Sequence, residues 1–189
     1  MVSLNPVLCQ SSNLSQHTFK RRDLIPSQHS LLWQIDVGVV RTFTWDEAGK
    51  PSALGYWGPG DVVGQPLSRL NPYQIECLTN VEVSILPAHL WHQVLDTILL
   101  HVQQVEKLLS IIHCEPIHLR LMQLLVWLAQ KFGREVDQGQ LIDLPLTHQE
   151  IAEVIGTSRV SITRLLKQFE QDAIISRPYR NYIILHDRL

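Results

Sequence analysis

Cysteine is scarce in this chain. Cys9, Cys77 and Cys114 stand far apart and form no CxxC pair, so neither a disulfide framework nor a zinc or iron–sulfur site is expected. No run approaches the roughly 18 consecutive apolar residues of a membrane span, and the N-terminus lacks a charged-then-apolar leader pattern. A cytoplasmic protein without membrane contact is the expectation. Neither sign of charge dominates: 16 Lys and Arg stand against 18 Asp and Glu, for a net −2. That excludes a chain that coats nucleic acid through bulk basicity. Catalytic signatures are missing too, with no nucleophile elbow, P-loop or paired-carboxylate pattern. His89 and His92 lie three apart beside Trp91, but no carboxylate comes before Asp96, so a cupin-type metal site is not assembled. The other histidines, among them His17, His29, His101, His113 and His118, are scattered, which reads as surface or core placement rather than haem ligation. No enzyme activity, metal or cofactor is expected.

What is present divides by texture. Residues 19–86 carry short apolar runs at 31–35, 37–44, 53–57, 61–63, 75–78 and 81–86, punctuated by turn residues. Turns are expected at Asp46-Glu47-Ala48-Gly49-Lys50 and at Gly58-Pro59-Gly60-Asp61. The pattern predicts an antiparallel β-barrel or sandwich, preceded by a loosely ordered polar stretch at 10–16. After Pro87 the period becomes helical. Val94, Ile98, Val102, Val105, Leu109 and Ile112 recur at steps of four and three, a coiled-coil-like seam that fits self-dimerisation or packing against the barrel. Pro116 opens a second helix over 117–132, with Leu121, Leu124, Leu125 and Leu128 on one face and Gly133 at its end. A short polar connection and a strand at 141–144 follow. The expected units are 1–87 for the barrel, 88–115 for the dimerisation helix and 116–189 for the C-terminal domain.

The C-terminal segment carries the motif. Thr147 with Glu150 makes a capping box for a helix whose Ile151, Val154 and Ile155 point inward. Ala152 is small where a second helix must cross, and Gly156 suits the turn. Ser158 caps the second helix, where Ile162, Leu165 and Leu166 form the buried side. Arg159, Ser161, Arg164 and Lys167 fall outside, in a stretch with no acid between Glu153 and Glu170. This is a helix-turn-helix with a basic second helix, suited to the major groove of double-stranded DNA; an amphipathic helix with a solvated basic face is the plainer alternative. Thr147, His148 and Gln149 at the start of the first helix suit phosphate contact, although Thr147 is also a cap. Residues 173–176 and 182–185 read as strands around a basic loop, a wing. Its Arg177 and Arg180 fit phosphates or the minor groove, or are plain solvated charge.

Over about residues 19–185 the chain resembles the cyclic-AMP receptor protein and FNR family of bacterial regulators. The motif from Leu146 to Ala152 and from Gly156 to Leu166 is similar to the cyanobacterial nitrogen-regulator (NtcA) branch. The resemblance implies an α+β fold: an N-terminal antiparallel β jelly-roll of the cyclic-nucleotide-binding type, a long dimerisation helix and a C-terminal winged helix-turn-helix. It implies a homodimer on a palindromic operator, with RNA polymerase or another regulator as a further partner. Base reading falls to Arg159, Val160 and Arg164, and phosphate contact to Thr147, His148, Gln149, Ser158, Ser161 and Lys167. Many members carry a glutamate where Val160 stands, so a different half-site is implied. The effector pocket corresponds to Val63, Gly64, Gln65 and Arg69, but the chain departs from the family pattern there. Gln65 and Pro66 follow Gly64 in place of the glutamate of a cyclic-nucleotide clamp, and Asn71-Pro72-Tyr73-Gln74 lacks its arginine. Dependence on cyclic AMP is therefore not expected. A small-molecule-binding cupin-like barrel, or a protein-docking module with a secondary DNA-binding role, is the competing function class.

Overall fold

The computed structural model describes residues 15–47 and 49–186. Eight strands build the N-terminal part: β1 (Gln16–Phe19), β2 (Leu24–Ile25), β3 (Leu31–Val37), β4 (Val40–Trp45), β5 (Pro51–Trp57), β6 (Val62–Val63), β7 (Gln74–Cys77) and β8 (Val81–Pro87). They form two antiparallel sheets, in the orders β1-β8-β3-β6 and β2-β7-β4-β5. Alternation along the strands turns Trp33, Ile35, Val40, Ile75, Val81 and Val83 into one shared core. This is the expected jelly-roll. Gly58 and Asp61 close one predicted turn, the Gly58 N–H donating to Asp61 Oδ2 at 2.8 Å. In the other, Asp46 N–H donates to Lys50 C=O at 3.0 Å; Ala48 of that turn lies outside the described residues.

Strands β1 and β2 were not predicted. Gln16 opens β1 rather than a loose stretch, while residues 10–14 lie outside the described residues. Both strands are short and mostly exposed, and pairing with β8 and β7 holds them. Such strands leave little periodic signal in a sequence.

A 3-10 segment (Ala88–Val94) leads into α1 (Leu95–Ile112), followed by α2 (Ile117–Phe132), β9 (Gly133–Val136), β10 (Gly139–Ile142), α3 (His148–Ile155), α4 (Arg159–Gln171), β11 (Ile175–Ser176) and β12 (Ile183–His186). The third sheet runs β11-β12-β10-β9. The short polar connection expected after Gly133 contains strand β9, whose polar Arg134 and Glu135 pair with Leu141 and Gln140 of β10.

One apolar cluster runs from Leu108 and Ile111 of α1 through Leu121, Leu124, Leu125 and Leu128 of α2 to α3, α4 and the wing. It also takes in Val39, Ala53, Tyr56 and Leu78 of the barrel. The helix-turn-helix therefore packs on the barrel wall.

The residues of the predicted α1 seam divide. Val94 and Ile98 pack on Leu32, Val62 and Leu86 of the barrel, and Ile112 packs on the large cluster. Val102, Val105 and Leu109 stay exposed, in company with Leu95, Leu99 and Leu100. The cause is geometric: α1 lies along its own barrel and turns one face inward, so the uncovered row runs Leu95, Leu99, Val102, Val105 and Leu109, one residue on from Val94 and Ile98 at its start.

Candidate nucleic-acid interface

Local chemistry builds both helices of the motif. The Thr147 hydroxyl accepts from the Glu150 N–H at 3.2 Å, and the Glu150 carboxylate accepts from the Thr147 N–H at 2.7 Å, completing the capping box. Helix α3 ends at Gly156, whose φ of 69° is left-handed and whose N–H donates to the Ala152 carbonyl. The Arg120 guanidinium donates to the Ile155 carbonyl at 2.8 Å and so satisfies another group at this helix end. The Ser158 hydroxyl then accepts from the Ser161 N–H at 3.1 Å and starts α4.

Helix α4 buries Ile162, Leu165, Leu166 and Phe169 against α3 and α2. Arg159, Val160, Arg164 and Lys167 face outward, Val160 at 78% exposure. All three residues expected to read bases thus share one uncovered side of α4. Beside it a groove of about 710 Å³ runs between the start of α3 and the wing loop, lined among others by Thr147, His148, Gln149, Arg159, Tyr179 and Arg180.

The residues expected at phosphates differ in how they are engaged. Lys167 and Arg180 are exposed. The Thr147 hydroxyl serves the capping box, and the Ser158 and Ser161 hydroxyls lie 2.9 Å apart. Gln149 donates to Glu153 at 3.0 Å. Arg177 is bound within the fold: its Nε donates to Glu170 Oε1 at 2.8 Å and its Nη2 to Glu170 Oε2. That bidentate pair holds the Glu170 carboxyl below its usual range. Arg177 Nη1 also meets His148 Nε2 at 3.2 Å. Glu170, Thr163 and the wing-tip Tyr179, which is 72% exposed, were not singled out from sequence. Glu170 and Arg177 come together only because a turn folds the chain back after α4, and no helical or strand period marks that.

Two features join this head to the barrel. Arg41 Nε donates to Glu76 at 2.6 Å and its Nη1 to Glu153 of α3 at 2.9 Å, while Arg22 bridges Glu76 and Glu150 at 3.1 and 3.0 Å. Lys131 of α2 pairs with Asp61 at 2.8 Å, donates to the Tyr56 carbonyl at 2.9 Å and contacts Gln104 of α1. The Trp57, Trp127 and Phe132 rings surround its ammonium group at 5.0 to 5.8 Å. Burial pushes the Lys131 pKa down, and Asp61 opposes the shift.

Of the expected effector-pocket residues, Val63 is in the barrel core. Gly64 precedes a 3-10 turn (Gln65–Leu67). The Gln65 amide is engaged by protein groups: it donates to the Ser68 and Leu70 carbonyls at 3.0 and 3.2 Å and accepts from the Ser27 hydroxyl at 3.1 Å. Arg69 is exposed at the edge of a small cavity of about 320 Å³ that His29, Gln65, Ser68, Leu70 and Asn71 also line. Deeper in, Trp33, Trp57 and Tyr73 fill the barrel. Trp57 Nε1 donates to Thr42 Oγ1 at 2.9 Å, and a Cβ on Gly55 would come within 2.5 Å of the Trp57 ring. Among the described residues, no group of three or more His, Cys, Asp or Glu side chains could hold a metal ion, and no helix is long and apolar enough to cross a membrane.

A jelly-roll, a long helix and a winged helix-turn-helix with an uncovered basic helix define a DNA-binding transcription regulator. Residues 119–189 match the Crp-like helix-turn-helix domain family. Regulatory protein CysR of Synechococcus elongatus is 43% identical over 169 residues, which cover 87% of this chain and 81% of that protein. The chain belongs to the CRP/FNR family of transcription regulators. The global nitrogen regulator of Nostoc sp. is 46% identical over 57 residues, 30% of this chain and 26% of that one. In fold, a CRP-family regulator from Thermus thermophilus superposes with a TM-score of 0.78 at 21% identity, covering 90% of this chain and 92% of its own. These relatives are regulators, and DNA binding resides in the helix-turn-helix.

Proposed function

We propose that the chain acts in the cytoplasm as a homodimer on a palindromic operator, that it does so independently of cyclic AMP, and that RNA polymerase or another regulator is its further partner. The observation that carries this reading is the recognition face, where Arg159, Val160 and Arg164 stand uncovered on a helix whose other side is fully packed. Arg159 and Arg164 have the reach and donor geometry for guanine O6 and N7, and Val160 suits a thymine methyl group. Phosphates are taken by Lys167, Arg180 and the first N–H groups of α3 at His148 and Gln149, since the opening N–H groups of a helix have no intrahelical acceptor. Thr147, Ser158 and Ser161 shape the helix starts from which these contacts are made.

Dimerisation is assigned to the uncovered α1 row of Leu95, Leu99, Val102, Val105 and Leu109, because an apolar stripe of that length is unfavourable in water. The working units are 1–87, 88–115 and 116–189.

Selection of bound duplexes from a random pool, with and without cell metabolites, tests the reading. Two inverted half-sites about one helical turn apart, or a multiple of it, are expected; enrichment of no symmetric motif would refute it. Independence from cyclic AMP is supported by the aromatic filling of the barrel and the engaged Gln65 amide. Calorimetric titration should give no heat with cyclic AMP, and micromolar binding would overturn that part.

A further inference from the structure

His148, the first residue of α3, has neighbours that define its protonation state. Arg177 has only N–H groups to offer, and its Nη1 lies 3.2 Å from His148 Nε2. Nε2 must therefore be an unprotonated acceptor. On the opposite edge of the ring, Nδ1 lies 2.8 Å from Thr163 Oγ1. The single hydroxyl proton of Thr163 is directed to the Arg159 carbonyl at 2.9 Å, so its oxygen accepts and Nδ1 carries the proton. Two independent contacts select the same neutral tautomer. The resulting chain of donors runs Arg177 to His148 to Thr163 to Arg159, from the wing loop through α3 to the first turn of the recognition helix.

We infer that His148 is a positioning residue whose neutral imidazole ties the wing to the start of the recognition helix, and whose protonation releases that tie. A proton on Nε2 would place two donors face to face and set a cation against Arg177. The charged groups around the ring are Arg177 from the wing loop and Arg159 and Glu170 from α4, with Arg180 and Tyr179 lining the same groove. Burial, then Arg177 and Arg159, press the His148 pKa below its ordinary value of 6.5, with Glu170 opposing. The imidazole is therefore neutral near neutral pH.

This inference rests on the operator reading above, and it reverses the sign expected of a histidine that grips phosphate. A phosphate ligand binds DNA more tightly when protonated, whereas a neutral latch loses alignment. Affinity for the duplex recovered by the selection would be measured by fluorescence anisotropy from about pH 7.5 down to about pH 5, for the wild type, His148→Lys and His148→Gln. A thermal melt of each would confirm the fold at every pH. The wild type should weaken on acidification, and His148→Lys should bind about tenfold more weakly at all pH values. His148→Gln, which keeps an acceptor toward Arg177 and does not titrate, should recover the binding lost by His148→Lys and flatten the pH profile. A folded His148→Lys that binds as tightly as the wild type, or wild-type affinity that is flat or rises on acidification, would overturn the latch. If the wild type binds no duplex at any pH, the operator reading falls and the latch with it.

Discussion

Arg164 and Val160 sit one helical turn apart on α4, and neither is held by the fold. The freedom of Arg164 contrasts with Arg177, whose guanidinium is clamped by Glu170. A charged side chain already in a bidentate pair has its donors occupied, so it offers DNA far less than an open one. Arg164→Ala should therefore cost about 1–3 kcal/mol of operator affinity and relax specificity at one base pair. Competition footprinting checks this, and an unchanged footprint on the cognate operator would remove Arg164 from the base-reading set.

Among the elements, α3 is pulled in two directions. Its buried Ile151, Ala152, Val154 and Ile155 belong to the head, while Glu150 and Glu153 reach back to Arg22 and Arg41 on the barrel. Arg41, Glu76 and Glu153 are almost buried, with side-chain exposures of 10, 11 and 8%. Removing one partner of such a set leaves the others charged and poorly solvated. Arg41→Met should lower stability by about 3 kcal/mol, read by urea denaturation. Hydrogen exchange should rise at the barrel contact of α3 ahead of the rest of the helix-turn-helix. Loss confined to the barrel strands would show that the arginine serves β4 alone.

At the scale of the whole molecule, the proposed dimer rests on the exposed apolar row of α1. A carboxylate on two rungs of an apolar seam must be desolvated or the seam must part. The double variant Leu99→Glu with Leu109→Glu should sediment as a monomer that keeps the wild-type melting profile of its own core and loses operator binding, because one head spans one half-site. A double variant that still sediments as a dimer would place the interface elsewhere.

The antiparallel β character of the N-terminal part, the helix limits at 117–132 and the capping box and turn of the motif were legible in the chain because each rests on local chemistry, while the jelly-roll arrangement followed from the family resemblance. Alternation, a proline, a glycine able to take a positive φ and a Thr147–Glu150 pair act over a few residues. The short strands β1, β2 and β9 were not, since their order comes from pairing partners distant in sequence or from a polar hairpin without apolar alternation. The candidate site divides in the same way. The outward placement of Arg159, Arg164 and Lys167 follows from helical periodicity, whereas Val160 was pointed to by the family resemblance. Only the folded chain settles that Arg177 is bound by Glu170 and His148, that Trp57 and Tyr73 occupy the barrel, and that the α1 row turns Leu95 and Leu99 outward where Val94 and Ile98 were expected. The physical reason is common to all three: each depends on what lies across a fold contact, and periodicity records which side of an element is buried without naming the partner that buries it.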